Sequence, residues 1–148
     1  MLKETLRSLF KRDLTKLREE IEAYHTESAI WLVDNEIANS AGNLCLHLVG
    51  NLNTYIGAVI GKTGYVRQRE LEFSLRDIPR QELVQKIEDT IFMIDDVMSK
   101  FETQQFEEEY PLEVLGRKTT TEYFLVHLTT HLSYHLGQVN YHRRLLDK

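Results

Sequence analysis

Residues 119–146 read TTTEYFLVHLTTHLSYHLGQVNYHRRLL, and the periodicity of this stretch decides the fold. Leucine and valine recur at spacings of three and four, as they do on the buried face of a helix. Placed roughly 100° apart on a helix, four histidines fall in a sector about 80° wide: His127, His131, His135 and His142. This sector borders the apolar one, so the stretch predicts a helix that holds imidazoles at the edge of a core.

Three other stretches also show helical spacing of their apolar residues. They run from about Leu2 to Tyr24, from about Glu36 to Ile60, and from near Pro79 to Phe101. The last helix is expected to start at Thr119, because Glu122 follows three residues later in the pattern of a capping box. Strand signals are poor, since the one short alternation, residues 65–73, is charged and isolated. The pattern therefore predicts an all-α four-helix bundle.

The chain has 148 residues, which predicts a single domain over residues 1–148. Two connections between predicted helices are long, residues 61–78 and residues 102–118. Loops of more than about 12 residues in a compact domain often carry function. The first loop could shape the mouth of a substrate site through Tyr65, Arg67, Arg69, Glu72 and Phe73, and its two arginines could hold a carboxylate. An exposed, ion-paired loop is the simpler interpretation.

Composition and charge exclude several classes of protein. The net charge of -5 comes without a basic patch of the kind that binds nucleic acid. No stretch approaches the roughly 18 apolar residues of a membrane span, and the charged N-terminal residues lack the apolar region of a signal peptide. The single cysteine, Cys45, permits no intramolecular disulfide, which favours a reducing compartment. We expect a cytoplasmic protein that binds neither nucleic acid nor membranes.

The histidine series suggests a metal site. His131 and His135 stand four residues apart, as do His127 and His131, and either pair places two imidazoles one helical turn apart. A third imidazole, His47, lies at the edge of the apolar face of the second predicted helix. Three neutral histidines leave positions open on a divalent ion, as in catalytic zinc sites. Spacing alone leaves both pairs open, together with a bundle whose histidines bond only to protein and water.

Two motifs together resemble the DinB-like superfamily. HLVGNLNTYIG (residues 47–57) is followed by HLTTHLSYHLGQVNYHRRLL (residues 127–146). Members of that superfamily are four-helix bundles with a histidine on the second helix and an HxxxH pair on the fourth. The second histidine of that pair is followed closely by Gly-Gln, as His135 is followed here by Gly137 and Gln138. The resemblance implies a metal site made of His47, His131 and His135.

The same resemblance implies a cofactor and a class of reaction. Members hold a divalent ion, commonly zinc or nickel, and characterised ones include transferases and isomerases that use low-molecular-weight thiols. The implied function is a metal-dependent thiol-cofactor S-transferase or isomerase that acts on a small electrophile. The alternative is a metal-binding or stress-related bundle without enzymatic activity. A homodimer is the implied assembled state.

Polar residues beside the three histidines are candidates for orienting them or for shaping a pocket. These candidates are His127, Asn51, Tyr55, Tyr134 and Gln138. For most of them, a polar group of the core satisfied by backbone or water is the simpler interpretation. His142 lies two turns beyond His135, too far to reach the same ion. Gly137 could let two helices approach closely.

Overall fold

The computed structural model describes residues 1–34 and 36–148. Within these residues there are five α-helices and no β-strand, apart from one isolated antiparallel bridge. The helices are α1 (Leu2–Ala23), α2 (Ala41–Leu52), α3 (Arg69–Ser74), α4 (Arg80–Ser99) and α5 (Thr121–Leu146). The predicted all-α class is confirmed. None of the described helices is both long enough and apolar enough to cross a membrane.

The four long helices form a closed ring around one core. α1 packs against α4 and α5, and α2 packs against the same two helices from the other side. The core is built from leucines, isoleucines and aromatic rings that the helical periodicity places on inner faces, among them Leu17, Leu48, Leu83, Phe124 and Leu132. Burial of such side chains contributes about 1.5–3 kcal/mol each. The ring places the histidine-bearing faces of α2 and α5 next to each other.

Two of the predicted helix starts are wrong. α2 begins at Ala41 instead of Glu36, because the Ser40 hydroxyl caps it by accepting the Asn43 N–H at 3.1 Å. A hydrogen bond of this kind satisfies one of the free N–H groups in the first turn. The chain before Ser40 therefore approaches the bundle outside the helix.

The start of α5 also differs from the prediction. Thr120 is the cap, since its hydroxyl accepts the Tyr123 N–H at 3.1 Å. The expected capping box of Thr119 and Glu122 is therefore wrong. The Thr119 carbonyl instead accepts the N–H of Tyr110 at 2.9 Å, which ties the preceding loop to the start of the helix.

Beyond Leu52, α2 continues as a wider π-helical turn over Asn53–Ala58. The Val59 N–H donates to the Thr54 carbonyl five residues earlier at 3.0 Å. The Asn53 amide donates both to the Val49 carbonyl, at 2.8 Å, and to the Thr90 hydroxyl of α4, at 2.9 Å. π-helical turns are rare and occur mostly at functional sites. This one lies two turns beyond His47.

The long connection between α2 and α4 contains α3, which lies against α2. Asn43 of α2 holds it in place through its amide group, which donates to the carbonyls of Glu72 and Leu75 at 2.9 Å each. The Arg76 guanidinium donates in turn to the side-chain oxygen Oδ1 of Asn43 at 2.9 Å. The charged alternation of residues 65–73 thus ends in a short helix fixed to the bundle.

Candidate metal centre

Three histidines from two helices meet at one point. His47 lies on α2, and His131 and His135 lie one turn apart on α5. The ring centroids are 5.1 Å apart for His47 and His131, 5.3 Å for His47 and His135, and 4.6 Å for His131 and His135. One side-chain nitrogen from each residue lies within 4.8 Å of the others, so the group could hold a metal ion.

A buried carboxylate orients the first of these imidazoles. Nδ1 of His47 lies 3.1 Å from Oε1 of Glu72 on α3, so the N–H at Nδ1 donates to the carboxylate. Nε2 of His47 is then the lone-pair nitrogen, and it faces Nε2 of His131 at 3.3 Å. A carboxylate behind a histidine fixes the ring tautomer and raises its basicity toward a metal.

Glu72 is held in turn by Arg67. The guanidinium donates from Nε to Oε2 at 2.8 Å and from Nη2 to Oε1 at 3.0 Å. Burial would raise the pKa of Glu72, but the hydrogen bonds from His47 and Arg67 hold that pKa below its ordinary value. The carboxylate therefore stays ionised behind His47.

Glu72 was predicted only as part of a loop at a substrate mouth and not as a partner of His47, because it lies 25 residues from that histidine in sequence. The signal that could have found it is Gly50, which lies three residues after His47 and so on nearly the same face of α2. A Cβ at Gly50 would clash with Oε2 of Glu72. A glycine beside a ligand histidine leaves room for a side chain from another segment, and here that segment is α3.

The third histidine is oriented within its own helix. Nδ1 of His135 lies 2.7 Å from Oε1 of Gln138, so the amide oxygen accepts the proton of Nδ1. Nε2 of His135 is left as a lone-pair nitrogen. Gln138 thus lies where an orienting residue was predicted, one turn beyond the histidine.

The site favours neutral imidazoles. Burial lowers the pKa of His131 to about 4, and the positive charge that the neighbouring histidines would carry adds to the effect. Burial also lowers the pKa of His135, against the hydrogen bond that His135 donates to Gln138, which raises it. Neutral nitrogen donors are what a divalent ion of intermediate softness requires. The donor set therefore fits such an ion.

The other predicted pocket residues are divided between two places. His127, Asn51 and Tyr55 line a cavity of about 320 Å³ that also reaches His47 and His131. The His127 ring stacks at 6.2 Å from the ring of His131, outside the three-histidine group.

Tyr134 lies on the outer side of α5 and is 67% exposed. Its ring centroid is 5.3 Å from that of His135, but Tyr134 is not among the residues that line the cavity. It contacts the histidine group from the solvent side.

Two residues of the α5 motif have other roles. His142 is buried, and its Nε2–H donates to the Leu32 carbonyl at 2.9 Å while Nδ1 accepts from the Tyr24 hydroxyl at 2.7 Å. It connects α5 to α1 and to the segment that follows α1. Gly137 faces open space, so the expectation that it permits close helix packing is wrong. The close approach occurs at Gly50 instead.

Comparison with known proteins identifies one family. A family model described as "Protein of unknown function (DUF1572)" matches residues 2–148. No curated protein matches the chain. The family match therefore covers all the elements that build the centre.

Proposed function

The chain belongs to the DUF1572 family, which has the DinB-like fold that the histidine motifs of this chain predicted, and we propose that His47, His131 and His135 hold a divalent metal ion. The observation that carries this proposal is the convergence of three imidazoles on one point. The Nδ1 atoms of His47 and His135 are held by Glu72 and Gln138, so both rings present lone pairs to the same place. A divalent cation at this place would accept both lone pairs.

The proposed ion is zinc or nickel, both of which imidazole nitrogens suit. When bound, such an ion supplies a Lewis acid that lowers the pKa of a coordinated thiol or water. Three protein ligands leave a position for a small molecule, and the adjoining cavity gives that molecule access. His127 lines the cavity and can exchange a proton with a molecule bound there. We therefore propose thiol-dependent transfer to a small electrophile as the reaction.

The metal proposal is tested by elemental analysis of protein purified without an affinity tag and then dialysed against zinc or nickel. We expect about one equivalent of metal per chain, and loss of binding in His131→Ala and in His135→Ala. His25→Ala is the control, since His25 is exposed and outside the group. His127→Ala should retain the metal. Loss of the metal in His127→Ala would instead favour His127 and His131 as the ligand pair on α5. Failure of the wild-type chain to take up either metal would contradict the proposal.

The reaction is tested separately on protein loaded with cobalt(II), whose visible spectrum reports the ligands of the ion. Adding a small thiol should change this spectrum. The loaded protein should then accelerate transfer of the thiol to an electrophile such as chlorodinitrobenzene, in which a carbon–sulfur bond replaces the carbon–chlorine bond and chloride and the thiol proton are released. A spectrum that no small ligand changes would indicate a closed site. In that case the chain would be a metal-binding bundle without enzymatic activity.

The assembled state is proposed to be a homodimer in the cytoplasm. Sedimentation equilibrium should then give a mass near twice the 17.4 kDa of one chain. A mass of one chain over the micromolar range would contradict the dimer. The metal group itself is built from one chain, so its binding does not depend on this result.

A further inference from the structure

The cavity beside the histidine group has an uneven distribution of charge. Ten residues line it, of which two are arginines and none is acidic. Its apolar wall is formed by Val114, Phe124 and Leu128. A divalent ion held by three neutral imidazoles would add two positive charges at one end. A cleft lined by charges of one sign attracts ligands of the other sign, so this cavity suits an anion.

The two arginines differ in what they already bind. Arg67 makes its two hydrogen bonds to Glu72, and its guanidinium carbon lies 5.8 Å from the centroid of the Tyr55 ring. Arg69 has its guanidinium 5.9 Å from the centroid of Phe73. No carboxylate of the described residues lies within ion-pair distance of Arg69. Arg69 therefore has its donors free for a ligand in the cavity.

Asn51 supplies an independent observation. It is 8% exposed and lies one turn after His47, in the wall of the cavity. Its amide oxygen, Oδ1, is buried and has no hydrogen-bond partner among the described residues. Buried polar atoms of folded proteins nearly always have a partner. A turn of the side-chain amide would bring Oδ1 to the cavity, where a donor on a bound molecule would provide the partner. Because Asn51 and Arg69 both line the cavity, one molecule can contact both.

Resting on the metal function proposed above, we propose that this cavity binds a small molecule that carries a carboxylate and a hydrogen-bond donor. Arg69 holds the carboxylate, because its planar guanidinium can donate two parallel hydrogen bonds to the two oxygens. Asn51 accepts a hydrogen bond from the donor. The volume of about 320 Å³ lies at the lower end of the range for small-molecule sites, which limits the ligand to a compact molecule.

The test uses the cobalt(II)-loaded protein and two thiol probes that differ in charge, 3-mercaptopropionate and its uncharged methyl ester. Binding of each is measured by the sulfur-to-cobalt absorption in the near ultraviolet, at one fixed ionic strength because salt screens exposed charges. We expect the carboxylate probe to bind about tenfold more tightly. In Arg69→Gln this preference should fall to about twofold, since only the charge of the ion and of the paired Arg67 remains.

Arg144→Gln is the matched control, because Arg144 also lies over an aromatic ring, 5.1 Å from the centroid of Tyr141, and does not line the cavity. It should keep the tenfold preference. A third probe, 3-mercaptolactate, adds a hydroxyl donor to the carboxylate probe. It should bind several times more tightly than 3-mercaptopropionate in the wild-type chain, and this gain should vanish in Asn51→Leu.

The outcomes separate the two proposals. Equal binding of the first two probes, or a carboxylate preference that survives in Arg69→Gln, would overturn the carboxylate site and leave the metal function standing. A hydroxyl gain that persists in Asn51→Leu would overturn the role of Asn51. A cobalt spectrum that neither thiol changes would overturn both the open metal site and the ligand inferred from it.

Discussion

At the scale of single residues, Glu72 connects the loop after α2 to the histidine group. Its carboxylate accepts hydrogen bonds from His47 and from Arg67 while almost completely buried. A buried network of this kind is stabilising only when all its members are paired. Changing Glu72 therefore affects both the orientation of His47 and the environment of Arg67.

Replacing Glu72 should weaken metal binding without removing it. We expect Glu72→Ala to lower zinc affinity about 10- to 100-fold, because the residues behind metal ligands typically contribute this much. The zinc affinity of Glu72→Gln should lie between those of the wild type and Glu72→Ala, since the amide oxygen of the glutamine can still accept a hydrogen bond from His47. The affinities are measured by competition with a chromophoric chelator. Glu70→Ala, an exposed neighbour on α3, should bind zinc like the wild type; equal losses at both positions would contradict the role of Glu72.

His142 predicts a dependence of stability on pH. Burial lowers the pKa of His142 below its ordinary value of 6.5, although its hydrogen bond to Leu32 opposes this. As pH falls below 6.5, the unfolded chain takes up the proton before the folded chain does, so the stabilisation present above 6.5 is lost. The difference in free energy of unfolding between the wild type and His142→Gln should therefore shrink between pH 7.5 and pH 5. Urea titrations of metal-free protein measure it, and a constant difference would contradict the prediction.

The residues of the centre were predictable to different degrees. The motifs paired His131 and His135 with His47, and periodicity alone put Gln138 on the same face as His135. Glu72 was not predictable in this way, because its position depends on how a loop 25 residues away in sequence folds back onto α2. Long-range placement of this kind leaves only indirect traces in a sequence, such as the missing side chain of Gly50.

At the scale of elements, α3 depends on its anchor. A helix of six residues is too short to be stable by itself in water, so α3 is held by its contacts with α2. The amide of Asn43 is the main polar contact, and it is buried together with the carbonyl of Glu72. The position of Glu72 behind His47 therefore follows from a residue one turn earlier on α2.

Asn43→Ala should loosen this anchor. We expect a loss of about 2 kcal/mol in the free energy of unfolding, because the buried Glu72 carbonyl loses its donor and the Arg76 guanidinium loses an acceptor. Amide hydrogens of residues 71–75 should exchange faster by more than the global loss of stability explains, as measured by mass spectrometry. Asn140→Ala is the control, since Asn140 makes one hydrogen bond to Glu20 at the bundle surface. It should change stability by well under 1 kcal/mol.

The elements themselves were largely predictable because four amphipathic helices leave a strong periodic signal. Their starts were less so. The true cap of α5, Thr120, stands between two other threonines, Thr119 and Thr121, and the isolated bridge from Glu109 decides the choice there. The π-helical turn leaves no periodic signal of its own, because its bonds depend on packing against α4.

At the scale of the whole molecule, Cys45 lies in the middle of the packed ring. Its side chain is completely buried, and burial raises the pKa of its thiol to about 12. The thiolate is the reactive form of cysteine, so an alkylating reagent reacts with Cys45 only when the bundle unfolds. Cys45 is therefore a built-in probe of global unfolding.

Iodoacetamide should label Cys45 far more slowly in the native chain than in urea. Zinc should slow the labelling further, by a factor that grows with zinc concentration, since ligand binding stabilises the folded state alone. Mass spectrometry after timed quenching measures the rate, and His131→Ala should show no zinc effect. Labelling of the native chain at the rate seen in urea would contradict this account of a closed core.

The π-helical turn also constrains how the length of this chain can vary in evolution. Asn53–Ala58 accommodates about one more residue per turn than an α-helix. Gly57 within it and Gly61 after it lie against Met93 and Val97 of α4, where a larger residue would not fit easily. A deletion inside the turn would rotate both glycines by about 100° away from α4. Insertions and deletions among relatives should therefore avoid residues 41–61 and collect in the loops, around residues 62–66 and 111–118.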